Sequence, residues 1–410
     1  MKHRRVVVTG LGVVSSIGLG WEVFWESLLA GRSGIREIRY VDTSESPTRY
    51  GGEVIDFDPC NFISSTVAHR LGRGSQFAIA ATKMALENAK LHPLDLESQR
   101  VAVCLGTTMA DIQALESINH AWVNLGEKRI ESSFVPQYPS CSMSANLAGY
   151  FKLRGPNFMI PTACAAGNYA ISYATDLLRS GRAEYAVAGG VDPFSRIAFR
   201  GFSRLFALAP ERCQPFDKNR QGTLIGEGAG ILILEPLESA QARGATIYAE
   251  VLGYGFSCDG SHMTIPEVEG VEEVMRRALK DADIEPTDID YISAHGTGTP
   301  ANDRTECAAI RRVFGSATDH IPVSSIKSML GHTMGAASAL EAIACVLAVH
   351  TGWIPPTINH ETDDPECEVD CVPNISRARN IQVALNNSFA FGGNNACVVF
   401  RKYENSLSSH

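Results

Sequence analysis

The stretch PTACAAGNYAISYATDLLRSG, residues 161 to 181, sets one cysteine at the head of a run of small residues. Small or apolar side chains at 166, 170, 174, 177 and 178 recur at helical spacing, and Ser180-Gly181 supplies a stop. Cys164 therefore falls at a helix N-terminus. There, unpaired backbone N–H groups and the positive end of the helix dipole favour the thiolate, the reactive form of cysteine. The same N–H groups can hold a developing oxyanion. Free cysteine is also a common small core residue, so this stretch alone leaves a packed thiol and an activated one both open.

Outward from the helix, short β-branched runs alternate with Ala/Leu-rich helical stretches. RVVVTG (5–10), RVAVCLG (100–106), YAVAGG (185–190) and GILILEP (230–236) read as strands, and SQFAIAATKMALENAKL (75–91) as a helix between them. Such alternation specifies α/β architecture, with parallel or mixed sheets covered by helices. A second set follows: strand ATIYAEVLGYGFSCDG (245–260), helix EGVEEVMRRALKDADI (269–284), strand IDYISAHG (289–296) and paired strands in QVALNNSFAFGGNNACVVFRK (382–402). Two similar halves, 1–249 and 250–410, are expected, although no sequence repeat proves a duplication. The tail NSLSSH (405–410) reads as disordered.

The bulk numbers narrow the function. The 410 residues, 45% hydrophobic, can bury a large core, and the net charge of −9 argues against a general nucleic-acid or acidic-membrane binder. Eleven cysteines, odd in number and without a CxxC pair, fit a reduced, cytoplasmic setting. Cys367 and Cys371 lack companions at metal-ligand spacing and read as ordinary thiols. The basic, then apolar, N-terminus resembles a signal peptide only superficially: Val6 to Val8 reads as a buried strand entering a turn at Thr9-Gly10. No stretch holds about 18 uninterrupted apolar residues, the length of a membrane span.

Three further stretches carry polar side chains where ligands gather. In ISAHGTGTPANDRTE (292–306), His295 follows a strand and precedes a glycine turn, with Thr297 and Thr299 beside it. Both hydroxyls could equally satisfy the turn itself. PVSSIKSMLGHTMGAASALEAIACVLAVHTG (322–352) sets Lys327 and His332 in a loop before a helix whose Glu341 is flanked by apolar neighbours. A carboxylate pointing inward needs a partner, and Lys327 is the nearest candidate in sequence. In NSFAFGGNNA (387–396), Gly392 and Gly393 let the chain turn sharply beside Phe391, which a plain hairpin would also explain. TGLGVVSS and GEGAG lack the context of a phosphate loop.

A cysteine at a helix start, then AHGTGT, then K-x-x-x-x-H, then an FGG loop, in that order, is far more specific than any member. With these motifs the chain resembles a β-ketoacyl-[acyl-carrier-protein] synthase of the condensing-enzyme family, nearest the elongating synthase II and type II polyketide ketosynthases. The likeness runs from RRVVVTGLGVVSSIG to GGNNACVVF and includes LLAGRSGI, FVP, LRGP, PFDKNR and DGSHMT. It implies a thiolase-like fold of two similar βαβ-rich halves in αβαβα layers, as a homodimer or a heterodimer with a related ketosynthase or chain-length-factor subunit.

The resemblance also implies roles. Cys164 would take an acyl chain from a carrier-protein thioester, with the N–H groups of Cys164 and Phe391 as oxyanion hole. His295 and His332 would bind a malonyl-carrier carbonyl and stabilise the enolate left by loss of carbon dioxide. Lys327 would support the histidines and Glu341 the lysine. Phe391 would gate the cysteine, while Thr297 and Thr299 would touch the phosphopantetheine arm near Gly392 and Gly393. One thiol and two imidazoles suffice for this chemistry, so no metal or redox cofactor is expected, and the substrates ride on an acyl carrier protein. The carrier is acidic, so Arg70, Arg73 and Arg204 are docking candidates, or else plain surface arginines. Departures from the common pattern, LGTTMADIQ (105–113), Pro139, Cys141, Ala390 and the pocket residue Met109, point to a specialised polyketide or polyene synthase. A housekeeping fatty-acid elongator and a non-catalytic partner subunit are the alternatives.

Overall fold

The computed structural model describes residues 4–126, 136–137 and 139–404; the tail 405–410 and most of FVP lie outside them. Ten strands form the main sheet path: β1 (Val6–Ser15), β2 (Val101–Gly106), β3 (Asn157–Ile160), β4 (Tyr185–Asp192), β5 (Gly228–Pro236), β6 (Ala249–Cys258), β7 (Tyr291–Ser293), β8 (Val323–Ser324), β9 (Val383–Phe389) and β10 (Asn394–Arg401). Their spatial order is β8-β7-β9-β10-β6-β1-β5-β4-β2-β3.

That order repeats a pattern. Read from the centre outward, β1-β5-β4-β2-β3 and β6-β10-β9-β7-β8 place their first, fifth, fourth, second and third strands in the same sequence. In both, the two inner pairings are antiparallel and the two outer ones parallel. Among the described residues, the two sets pair where Val6, Val7 and Val8 face Val251, Glu250 and Ala249.

Five helices supply the layers, α1 (Arg73–Asn88), α2 (Ala166–Arg179), α3 (Val268–Ala282), α4 (Pro300–Phe314) and α6 (Ala337–Thr351), and the short α5 (Lys327–Leu330) precedes α6. α2 and α6 pack on each other between the two sheet halves, α2 against β4 and β2, α6 against β9 and β5. Outside them, α1 covers β1 and β5, while α3 covers β6 and β10 and carries α4. The result is the expected αβαβα arrangement. The central helices are buried nearly all round: α6 is apolar on almost every side, while α2 also buries the polar Asn168, Ser172 and Thr175. The 18-residue stretch Met334–Thr351 is long and apolar enough to cross a membrane, and 89% of it is buried within this middle layer.

Two local expectations need correction. The first strand does not turn at Thr9-Gly10; it continues to Ser15 through a register shift between Val8 and Gly10. Its glycines admit α1, since a Cβ on Gly12 would lie 1.8 Å from the Ala81 carbonyl oxygen. Lys327 does not lie in a loop either: it opens the short helix α5, held between the ends of β8 and α6.

Candidate active site

The chain enters α2 through a tight turn. Ala163 adopts a left-handed φ of 50°, and Ala163–Ala165 form one 3₁₀ turn that runs directly into the helix. A non-glycine residue in that region stores strain, which persists only where its surroundings fix it. Here Ser388 at the end of β9 donates to the Cys164 carbonyl at 3.0 Å, tying the nucleophile turn to the hairpin that carries Phe391. Cys164 is 4% exposed and packs with Ala165, Ala390 and Ala396.

His332 and His295 approach this sulfur from the other half. The His332 Nε2 lies 3.0 Å from Cys164 Sγ, and its Nδ1 accepts the Met334 N–H at 3.2 Å. A neutral ring with Nδ1 as acceptor carries its proton on Nε2, so the N–H faces the sulfur. His295 follows β7; its N–H and that of Gly296 donate to Glu306 of α4 at 2.9 and 2.8 Å. Lys327 Nζ donates to the His295 carbonyl at 2.6 Å and sits 3.4 Å from its Nδ1. An ammonium can only donate, so Nδ1 accepts there too and Nε2 again carries the proton. One atom each of Cys164, His295 and His332 falls within 4.8 Å of the others.

Lys327 is 1% exposed and pairs with Glu341, also 1% exposed. The inward-pointing carboxylate of α6 thus meets the partner its sequence called for. Burial pushes Glu341 up to about 7 although Lys327 opposes the shift. Burial, and then the Lys327 charge, holds His295 and His332 well below the ordinary imidazole value, so both rings are neutral donors. Burial also pushes the Cys164 thiol up to about 12, with Lys327 pulling the other way. Burial thus opposes the thiolate that the helix start favours, and a thiol that loses its proton during reaction fits the site.

Cys164, His295, His332 and Phe391 face one cavity of about 310 Å³. Thr297, Thr299 and Gly393 line it as well. The two threonine hydroxyls lie 2.9 Å apart, and that of Thr299 caps α4 by accepting the Asn302 N–H. Phe391 stacks on Phe202 with centroids 5.2 Å apart, and Phe202 stands edge-on to His332. The Phe391 N–H has no hydrogen-bond partner among the described residues, and the Cys164 N–H supports its own sulfur. Met109 and Gly392 are not among the lining residues. Met109 packs against the cluster that holds Phe202 and Met334, and Gly392 turns the hairpin at φ 83°.

The three arginines part company. Arg70 and Arg204 are exposed, and Arg204 precedes Leu205 and Phe206 of the cavity mouth. Arg73 is not available for docking: it makes a two-point ion pair with the buried Glu227, at 2.9 and 2.7 Å, and donates to the Val54 carbonyl. Sequence reasoning missed Phe202, Glu306 and Asp192. Phe202 stands two residues before the docking candidate Arg204, and Glu306 ends the 292–306 stretch; only their contacts mark them.

Known proteins match this chain along its length. Residues 3–240 match the β-ketoacyl synthase N-terminal domain and residues 248–361 its C-terminal domain. A Synechocystis protein named 3-oxoacyl-[acyl-carrier-protein] synthase 2 is 41% identical over 98% of this chain and 99% of its own length. A Staphylococcus aureus protein of the same name is 39% identical over the same shares. Among solved structures, the ishigamide ketosynthase/chain length factor superposes with a TM-score of 0.95 at 45% identity, over 98% of this chain and 100% of that one. A type II polyketide ketosynthase solved with its acyl carrier protein gives 0.90 at 34% identity, with the same coverage. With both family domains matched in order over a fold and cavity of this kind, the chain belongs to the β-ketoacyl synthase family.

Proposed function

We propose that this protein extends acyl chains by decarboxylative Claisen condensation, with Cys164 as nucleophile and His295 and His332 as enolate donors. The carrying observation is that one thiol and two neutral imidazoles, from different halves of the chain, converge within 4.8 Å on one cavity. In the first half-reaction Cys164 Sγ attacks a carrier-bound thioester; its proton leaves with the departing phosphopantetheine thiol, and the acyl group stays on sulfur. The oxyanion forms against the Cys164 and Phe391 N–H groups. In the second, the two Nε2–H groups hold the malonyl thioester oxygen while carbon dioxide departs. The enolate carbon then attacks the Cys164 thioester, and the thiolate that leaves takes up a proton. Neutral donors suit this step because they stabilise an enolate without first donating a full proton.

The rest of the reading follows the same chemistry. No step needs a metal or redox cofactor, because thiol and imidazoles supply every role. Phosphopantetheine on an acyl carrier protein brings the substrates, and Thr297 and Thr299 receive its arm. Arg204, with Arg70, meets the acidic carrier. A second ketosynthase-type subunit completes the assembly. Residues 1–249 and 250–410 act as the two halves, supported by the repeated strand order. A cytoplasmic setting is supported by eleven free cysteines.

For substrate, we favour polyketide or polyene intermediates over saturated fatty acyl chains. The unusual turn at 107–110 and the 45% identity to the ishigamide ketosynthase/chain length factor, against 41% to the cyanobacterial synthase 2, support this. Competition between unsaturated or oxygenated and saturated acyl-carrier thioesters tests it: preference for saturated chains contradicts the assignment. The retained Cys164 argues against a non-catalytic partner subunit.

A further inference from the structure

The mechanism above makes no use of Asp192 or of the turn from Thr107 to Ala110. We infer that Asp192 is a positioning residue for condensation: its buried carboxylate fastens the turn carrying Met109 to the turn that aims His332. The inference rests on the proposed condensation reaction.

Asp192 ends β4 and is 3% exposed. Its Oδ1 accepts from Thr107 Oγ1 at 2.6 Å and from the Met109 N–H at 3.3 Å; its Oδ2 accepts the N–H groups of Thr108 at 2.7 Å and Gly335 at 2.6 Å. All four partners donate, so the site wants an acceptor at both oxygens. Thr107 Oγ1 in turn accepts the Ala110 N–H at 2.7 Å. On the far side, Gly335 follows Met334, whose N–H fixes the His332 Nδ1.

Both fastened turns contain a non-glycine residue in left-handed conformation, Ala110 at φ 55° and Met334 at φ 56°. Such backbones persist only when neighbouring contacts over-determine them, and Asp192 is the group bonded to both turns. The turns also touch. A Cβ on Gly335 would lie 2.5 Å from the Thr107 carbonyl carbon, and one on Gly190 would lie 2.2 Å from the Gly335 oxygen. A shift of the 107–110 turn is therefore transmitted to Gly335 and on to the His332 ring. Met109 and Phe391 both pack on the apolar cluster that holds Phe202 and Met334, so the clamp and the wall behind the gate meet in one cluster.

The two half-reactions separate this role from simple stability. Acylation of Cys164 needs the sulfur and two N–H groups that Asp192 does not bond; decarboxylation needs His332 aimed. In Asp192→Asn, an amide NH₂ would face backbone donors. Expected in this variant are acyl-Cys164 formation within about threefold of the parent and malonyl-thioester decarboxylation reduced about thirtyfold or more. In ¹⁵N-histidine spectra, the parent His332 shows the Nε2–H tautomer and the variant loses that single form. Thr107→Val, which removes one donor, falls between, and Thr107→Ser keeps the parent rates. A folded Asp192→Asn protein that loses both half-reactions equally, keeps decarboxylation, or leaves the tautomer unchanged overturns the inference. If Asp192→Asn does not fold, the Thr107 pair decides: equal decarboxylation by Thr107→Val and Thr107→Ser refutes the clamp. Absence of an acyl adduct on the parent Cys164 would refute the proposed reaction instead, and the tautomer spectra read the clamp independently of it.

Discussion

The Nε2 of His332 lies 3.0 Å from the Sγ of Cys164 while its Nδ1 accepts the Met334 N–H. The bond behind the ring decides which nitrogen carries the proton in front of it. The site thus presents a neutral N–H donor to the sulfur and to whatever oxygen the cavity holds beside it.

Neutral histidines fix the pH response. Burial and Lys327 hold both rings below the ordinary value of 6.5, so activity stays flat through neutrality and falls only at acid pH below 6.5. Lys327→Met removes one cause of the depression, and the acid limb of kcat should move to higher pH. Stability follows the same sign. The unfolded chain takes up protons near 6.5 that the folded rings refuse, so stability is held above that pH and lost as pH falls below it. Profiles of kcat and urea midpoints from pH 5 to 8 check both.

The Lys327–Glu341 pair is buried at both ends. Removing one partner leaves a charge or polar group without its complement, so Lys327→Ala should cost about 3–5 kcal/mol. Replacing both with Met and Leu should recover most of that stability while condensation stays impaired, because His295 loses the Nζ beside its Nδ1. Denaturant titrations of the single and double variants measure the difference.

Arg73 and Arg204 should behave in opposite ways. Arg73→Ala strands the Glu227 carboxylate, which also accepts the Val54 and Phe194 N–H groups. Because Arg73 keeps 29% side-chain exposure, the loss should be about 2 kcal/mol, below the range for a fully buried pair, with carrier affinity unchanged. Arg204→Glu should leave the melting temperature unchanged and raise KM for the carrier thioester several-fold, most strongly at low salt.

Much of this arrangement was legible in the order of motifs. Each of Cys164, His295, His332 and Phe391 stands where a strand ends or a helix begins, and such junctions have readable glycine and apolar patterns. Glu341 was legible because apolar neighbours left it nowhere to point but inward. Asp192 and Glu306 were not, since most of their partners are backbone N–H groups of turns, which no side-chain pattern announces. The role of Arg73 was equally hidden, because exposed and paired arginines read alike until Glu227 is found 154 positions away. The repeat shows in strand order and not in sequence, since many apolar sequences satisfy the same buried strand.

Phe391 stacks on Phe202, which makes a T-shaped contact with His332. Phe391→Ala removes an aromatic contact worth about 0.5–1.5 kcal/mol and should lower stability by an amount of that order or slightly more. As a gate beside Cys164, it should also slow acyl transfer to the cysteine more than it slows malonyl decarboxylation. Stopped-flow acylation measured beside carbon dioxide release distinguishes the two steps.

The central claim is that Cys164 carries the growing chain. Intact-protein mass spectrometry after incubation with a panel of acyl-carrier thioesters tests it most directly, followed by peptide mapping. The account predicts a single acyl adduct on Cys164, absent in Cys164→Ala and discharged when malonyl-carrier thioester is added. No adduct with any donor, or an adduct that persists in Cys164→Ala, would contradict it.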